Sequence, residues 1–302
     1  MIVAVTGSSG FIGSALVSSL KARGDRVIPL VRRAPRGNED ALRWEPATGA
    51  ITHTGSVIVD AVVHLAGESV TAGRWTATRK ARIRDSRVAA TARLAQPLAR
   101  ATPPPRVLVC ASAIGYYANR DDVELTESSA PGIGFLAQVC REWEAATAPA
   151  TARGIRVVNL RIGLALSAAG GALAKMLIPF RLGLGGVVGD GKQWMSWIAL
   201  ADLIDAIHHA LDTEPLHGPV NAVAPTPVTN AEFTRTLGRV LGRPTTILRV
   251  PAFAARLAFG EMADELLLTS QRVMPARLQA SGFVFRHPTL EGALRREIGR
   301  GH

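Results

Sequence analysis

Apolar positions along the chain alternate between two rhythms. Short unbroken runs, Ile2–Thr6, Arg26–Val31, Ala61–Ala66, Arg106–Ala111 and Ile155–Arg161, have the length and β-branched content of strands buried on both faces. Between them the spacing lengthens. Phe11–Arg23 places Ile12, Ala15, Leu16 and Leu20 on one side of a helix, with Gly24 as its stop. Trp75–Arg100 predicts a long basic helix ended by Pro103, Pro104 and Pro105, and Phe135–Arg153 predicts another. Strands and helices in turn predict an α/β fold on a parallel sheet.

Beyond residue 165 the texture changes. Gly170, Gly171, Gly183, Gly185, Gly186, Gly189 and Gly191 crowd one stretch, as in a loop that lines a pocket, and the chain from Pro251 is mostly helical. We expect residues 1–165 to form the main sheet region and residues 166–302 a smaller lobe, with strands in 155–225 completing the sheet.

Composition narrows the class. At 302 residues, 47% hydrophobic and 20% charged, the chain suits one large soluble domain with an appendage. No apolar run reaches the roughly 18 residues of a membrane span. Met1 leads straight into a strand, so we expect no signal peptide and a cytoplasmic location. Cys110 and Cys140 have neither metal-ligand nor redox spacing and read as small buried hydrophobes, and no metal site is expected. His64, His208, His209 and His217 show no ligand spacing and read as structural. A net charge of +11 would suit an anionic partner. The 31 arginines and four lysines are scattered, however, and no run alternates basic with aromatic residues, so nucleic acid is not expected.

The first turn carries the chemistry. Thr6-Gly7-Ser8-Ser9-Gly10-Phe11-Ile12-Gly13 sets glycines three apart between a strand and an amphipathic helix. A pyrophosphate needs that pattern: one glycine for the tight turn, one for close backbone approach, one for helix–strand packing, and a helix N-terminus offering free amides. The second strand ends in Arg32 and Arg33, where a site for NAD carries an acidic residue. Guanidinium forks there suit a 2′-phosphate, so the expected cofactor is NADP(H) rather than NAD.

Thr6–Gly13 together with His64-Leu65-Ala66-Gly67-Glu68 resembles the short-chain dehydrogenase/reductase superfamily in its extended branch. Arg74-Trp75, Lys80, Ser86-Arg87, Ser112-Ala113-Ile114-Gly115-Tyr116-Tyr117, Trp143-Glu144, Pro179–Gly186, Gln193–Ile198 and Pro227–Phe233 narrow the likeness. The set is similar to the atypical YfcH-like "epimerase family" proteins, which have a small C-terminal extension. The resemblance implies a Rossmann-type doubly wound sheet with a substrate-side lobe and an NADP(H) site. It places Leu65, Ala66 and Gly67 along the cofactor, with Arg87 and Arg161 near it. It also implies a possible homodimer through the helical segments 75–100 and 135–153.

Active members of that superfamily use a serine or threonine, a tyrosine, and a lysine four residues after the tyrosine. Ser112 matches the serine, just past the strand Arg106–Ala111. The helix from Phe135 has neither tyrosine nor lysine, and the only tyrosines are Tyr116 and Tyr117. Ser112, Tyr116 and Tyr117 are therefore the candidate catalytic residues of an NADP(H)-dependent oxidoreductase or nucleotide-sugar-epimerase-like enzyme acting on a small molecule. The alternative is a catalytically silent NADP(H)-binding protein that works through a partner. Trp194 and Trp197 could stack on a sugar or fill the core, and Asp202 could serve as a helix N-terminal charge.

Overall fold

The computed structural model describes residues 1–33, 41–52, 58–245 and 249–299. Eight strands build the central sheet: β1 (Ile2–Thr6), β2 (Arg26–Val31), β3 (Leu42–Trp44), β4 (Ile51–Thr52), β5 (Ala61–His64), β6 (Val107–Ala113), β7 (Arg156–Ile162) and β8 (Gly218–Ala222). Their spatial order is β8-β7-β6-β5-β1-β2-β3-β4, parallel throughout except where β4 turns back on β3. The chain builds outward from β1 on one side, then returns to build outward from β5 on the other. The crevice at the carboxyl ends of β1 and β5 is thus a topological switch point, where open α/β sheets bind ligands.

Strand alternation sorts the core into two layers. Val3, Val5, Val63, Val109, Val158 and Leu160 pack with Leu16 and Leu20 of α1 (Phe11–Ala22) and with the helix Leu200–Asp212. Ala4, Ile28, Leu30, Val62, Leu108 and Val157 face the other way, onto Ala90, Leu94, Ala95 and Leu98. A third core gathers Leu173, Leu177 and Phe180 with Trp197, Phe233, Leu237, Leu290 and Leu294 in the C-terminal part.

Several element boundaries differ from the sequence reading. The segment 75–100 is two helices, α2 (Ala77–Asp85) and α3 (Val88–Arg100). The break lies where Ser86 Oγ and Arg87 Nη1 both donate to the Ile83 carbonyl, so side chains take an acceptor that the helix would otherwise use. The segment 135–153 also divides, into α4 (Phe135–Ala145) and α5 (Ala148–Ala152), with Thr147 Oγ1 donating to the Glu144 carbonyl and Pro149 opening the second piece. Strand β5 ends at His64, because the amides of Leu65 and Ala66 turn to the Thr6 hydroxyl. Strand β6 runs on to Ala113, so Ser112 lies within it rather than past it. The short strands β3 and β4 were not foreseen; β8, which lies within residues 155–225, forms the other edge of the sheet.

Trp197 is fully buried in the third core, its indole donating to the Thr226 carbonyl, while Trp194 is half-buried beneath the Arg272 guanidinium. Asp202 sits in the first turn of its helix, but its carboxylate accepts the amides of Arg286 and His287. It therefore pins the chain ahead of the last helix.

Candidate cofactor and active site

The turn after β1 has the shape its glycines predict. Gly7 has φ +67°, and a methyl group there would stand 2.9 Å from the Leu65 carbonyl carbon and 3.0 Å from the Ala66 nitrogen. Gly10 caps α1 without a side chain, leaving the first amides of the helix unshielded. A methyl at Gly13 would overlap the Gly7 carbonyl oxygen, so α1 can lie on the turn only with glycine there. Ser8 is half-buried, Ser9 is exposed, and Ile12 packs against the sheet. Phe11 reaches across to the lobe, its ring 3.0 Å from where a Gly170 β-carbon would stand. These are the features a pyrophosphate cradle requires.

Arg32 and Arg33 follow β2 on the same edge, both exposed. Arg32 makes no ion pair or hydrogen bond with another described residue, so its fork is open to solvent. Leu65, Ala66 and Gly67 follow β5, the first two directly beside Gly7 and Gly67 against the Arg87 guanidinium.

Beneath this edge lies a buried polar row. Thr6 Oγ1 accepts from the amides of Leu65 and Ala66 (3.1 and 3.2 Å), which uses both lone pairs. Its own proton therefore goes to His64 Nδ1, 2.6 Å away, and His64 Nε2 donates to Thr91 Oγ1 at 3.0 Å. That pattern requires a neutral ring, and burial pushes the His64 pKa down to about 4. The sign is definite. Between pH 6.5 and about 4 the unfolded chain binds a proton that the folded chain refuses. Stability should therefore fall as the pH drops through that window, by about 3 kcal/mol at most. Urea midpoints of the wild type and of His64→Asn, taken from pH 7.5 to 4.5, check this. An unchanged pH slope in the variant would refute it.

A second network crosses the ends of β6, β7 and β8. Ser112, Arg161 and Asn221 are register partners on adjacent strands. Arg161 is 2% exposed and donates from each of its three nitrogens, through Nε and Nη2 to the two oxygens of Glu144 (2.8 and 2.9 Å) and through Nη1 to the Tyr117 hydroxyl (2.9 Å). Ser112 Oγ donates to the same Glu144 at 2.7 Å, and Tyr117 donates to Asn221 Oδ1 at 2.7 Å. Burial alone would lower the Arg161 pKa, but the bonds and charge of Glu144 outweigh it and hold the guanidinium charged. Burial also pushes the Tyr117 hydroxyl up to about 12, against the pull of Arg161. The Tyr116 ring lies over the Arg161 guanidinium at 3.5 Å and remains partly exposed.

The structure thus brings Ser112, Tyr116, Tyr117 and Arg161 together, and commits all but Tyr116 to internal bonds. Arg161, expected near the cofactor, spends its donors inside the protein. Leu136 and Cys140 have the four-residue spacing of the missing tyrosine and lysine, and both face Gly115. Burial pushes the Cys140 thiol up to about 12, so it is inert. Sequence reasoning assigned no role to Glu144 or Asn221. Glu144 had a readable signal: it follows Ala137 and Cys140 at helical spacing, a carboxylate on a stripe buried against the sheet.

Comparison with known proteins bears on this geometry. The model of the "NAD dependent epimerase/dehydratase family" matches residues 3–222, and a domain of unknown function (DUF1731) matches residues 250–297. This chain belongs to the NAD dependent epimerase/dehydratase family. It is 46% identical over 293 residues to "Epimerase family protein Mb2239" of Mycobacterium bovis, covering 97% of this chain and 96% of that one. The crystal structure of human epimerase family protein SDR39U1 (isoform 2) with NADPH superposes with a TM-score of 0.90 at 35% identity, covering 99% of both chains. A UDP-glucose 4-epimerase from Thermus thermophilus, solved with NAD, shares the fold at a TM-score of 0.75 and 19% identity, over 99% of this chain and 98% of that one.

Three sites fall on DUF1731 residues. Glu265 accepts the amides of Phe135 and Leu136 at the start of α4 (3.1 and 3.3 Å). Gln271 donates to the carbonyls of Ile114 and Ala118, on either side of the two tyrosines. The Met274 carbonyl accepts from Asn221 Nδ2, which turns Asn221 Oδ1 towards Tyr117.

Proposed function

We propose that the chain binds NADP(H) along the carboxyl edge of β2, β1 and β5, and uses it on a small molecule held between residues 1–165 and the lobe 166–302. The open fork of Arg32, two strands from the β5 end of a complete glycine cradle, carries this reading. The superposition on a relative crystallised with NADPH supports it. Gly7, Ser8, Ser9, Gly10, Phe11, Ile12 and Gly13 would hold the pyrophosphate, Arg32 and Arg33 the 2′-phosphate, and Leu65, Ala66 and Gly67 the path towards the nicotinamide. Two buried free thiols suit a reducing, cytoplasmic setting.

NADP(H) would supply a hydride donor or acceptor. The protein would supply orientation and a proton. Of the two tyrosines, Tyr116 is the one with an exposed part, and Arg161 supports its ring from below. We assign the proton to Tyr116, and to Ser112 and Tyr117 the task of fixing Glu144 and Arg161 beneath it. Oxidoreduction and epimerisation both fit these parts. The silent-binder reading is favoured by one observation: the helix from Phe135, where the superfamily's acid–base pair is expected, carries neither tyrosine nor lysine.

NADPH should bind at least about tenfold more tightly than NADH, and Arg32→Ser should weaken NADPH by about 10- to 100-fold while leaving NADH unchanged. Fluorescence titration measures both. Equal affinities for the two cofactors would remove the basis for the assignment. NADPH oxidation over a metabolite panel, with Tyr116→Phe as control, separates enzyme from silent binder.

A further inference from the structure

At the β5–β6 end of the cleft stands a cation without a counter-ion. Arg87 opens α3, and its guanidinium lies against Gly67, with Cζ 3.4 Å from where a β-carbon would stand, and 5.2 Å from the Trp143 ring. Nη1 is used, donating to the Ile83 carbonyl and weakly to Ser86 Oγ. Nε and Nη2 donate to no described residue, and no carboxylate of a described residue forms an ion pair with this side chain. Those two groups share one edge of the guanidinium, and their N–H bonds run parallel, the arrangement that accepts two oxygens of one carboxylate or phosphate.

The surrounding carboxylates form their short contacts elsewhere, although the charge of Glu68 still acts on Arg87. Glu68 is held by Arg79 (2.6 Å) and Arg82, and Glu144 by Arg161. Glu142 pairs with Arg84, Glu261 with Lys80, and Glu265 with the start of α4. Cys140, the remaining acidic neighbour, is a neutral thiol. Burial disfavours a charged guanidinium here and lowers its pKa. A partly desolvated arginine with an open fork is a site built for an anion that arrives from outside.

The cofactor's own anions belong elsewhere on the sheet edge. In the NADP(H) reading the pyrophosphate would be held by the start of α1 beside β1, and the 2′-phosphate by Arg32 beside β2. Arg87 stands on the opposite side of β5, against Gly67 and Trp143, where the NADP(H) reading would bring the nicotinamide and its reaction partner together. We propose that Arg87 receives an oxyanion of the substrate, a carboxylate or phosphate, and that the substrate of this protein is therefore an anionic small molecule. This rests on the NADP(H) reading above and names the substrate class for that site.

The experiment uses the full chain and five titrants. NADPH and 2′,5′-ADP are titrated into the wild type, Arg87→Gln and Arg87→Lys. Benzoate and inorganic phosphate, with benzamide as the neutral control, are then titrated into each protein saturated with NADPH, read by quenching of cofactor fluorescence. The expected result is binding of an oxyanion but not of benzamide, weakened about 10- to 100-fold in Arg87→Gln and partly kept in Arg87→Lys. NADPH and 2′,5′-ADP affinities should stay within about threefold of wild type, which also shows that the variants are folded. Benzoate ahead of phosphate marks a carboxylate substrate, and the reverse order a phosphorylated one. Absence of oxyanion binding to the wild-type complex, or equal binding to Arg87→Gln, overturns the proposal. So does a loss of NADPH but not 2′,5′-ADP affinity in Arg87→Gln, which would give Arg87 to the nicotinamide half of the cofactor. Failure of NADPH to bind the wild type strikes the underlying reading instead.

Discussion

Gly13→Ala should abolish cofactor binding, lowering NADPH affinity by at least about 100-fold. The added methyl would overlap the Gly7 carbonyl oxygen and stand 2.8 Å from the Gly7 carbonyl carbon and 2.9 Å from Ser8 Cα. All three neighbours are backbone, so no side chain can swing aside. Either α1 lifts from β1 or the turn unwinds, and both move the helix amides away from where a phosphate would sit. Overpacking of this kind costs about 1–3 kcal/mol of stability, which a chain of this size can survive folded. The binding loss should therefore exceed what the stability loss explains. Gly24→Ala is the matched control. Its φ is +89°, but nothing lies within 4 Å of an added methyl. It should lose about 1 kcal/mol of stability and keep its cofactor affinity. Fluorescence titration with NADPH reads both variants, and wild-type binding by Gly13→Ala would refute the cradle assignment.

Arg161→Met should be the most destabilising single change at the carboxyl edge, at about 3–5 kcal/mol. The loss comes less from the missing attraction than from what is left behind. Glu144 is 13% exposed, and without Arg161 it keeps only the Ser112 hydroxyl as a partner. The Tyr117 hydroxyl loses a donor, and the Tyr116 ring loses its support. Removing both charges, as in Arg161→Met with Glu144→Leu, should recover at least half of the loss, since a buried pair can often be replaced by apolar groups at little net cost. Urea unfolding of the two single variants and the double variant gives the coupling directly. Additive losses would mean that the two groups do not depend on each other.

These two predictions draw on different kinds of information. The first was legible in the sequence. Glycine spacing between an apolar strand and an amphipathic helix is a local pattern, and each residue's task follows from its neighbours in the chain. The second was not. Ser112, Glu144, Arg161, Tyr117 and Asn221 come from five elements, and only strand register places Ser112, Arg161 and Asn221 side by side. Composition hid the network further, because Arg161 is one of 31 arginines and nothing local marks it as buried. The alternation of strands and helices was readable because its periods are strong. The breaks at Ser86–Arg87 and Ala146–Thr147 were not, because side-chain bonds to carbonyls interrupt helices whose apolar pattern runs on. The basic texture of α2 also misleads when read alone. Arg79, Lys80, Arg82 and Arg84 all find carboxylates within the fold, so that helix offers little free positive charge to a partner.

Glu265, Gln271 and Met274 give the C-terminal segment a role beyond covering the lobe. Each bonds to backbone or side-chain groups that shape the tyrosine loop or the start of α4. The loop that carries Tyr116 and Tyr117 thus takes its conformation from residues about 150 positions later in the chain. During synthesis the backbone neighbours of Gly7 and Gly13 are all present once the residues after β5 have emerged, whereas the tyrosine loop has to wait for the end of the chain. A product truncated before Gln271 would therefore lack the bonds that hold the tyrosine loop, while the glycine turn would keep the backbone neighbours that shape it.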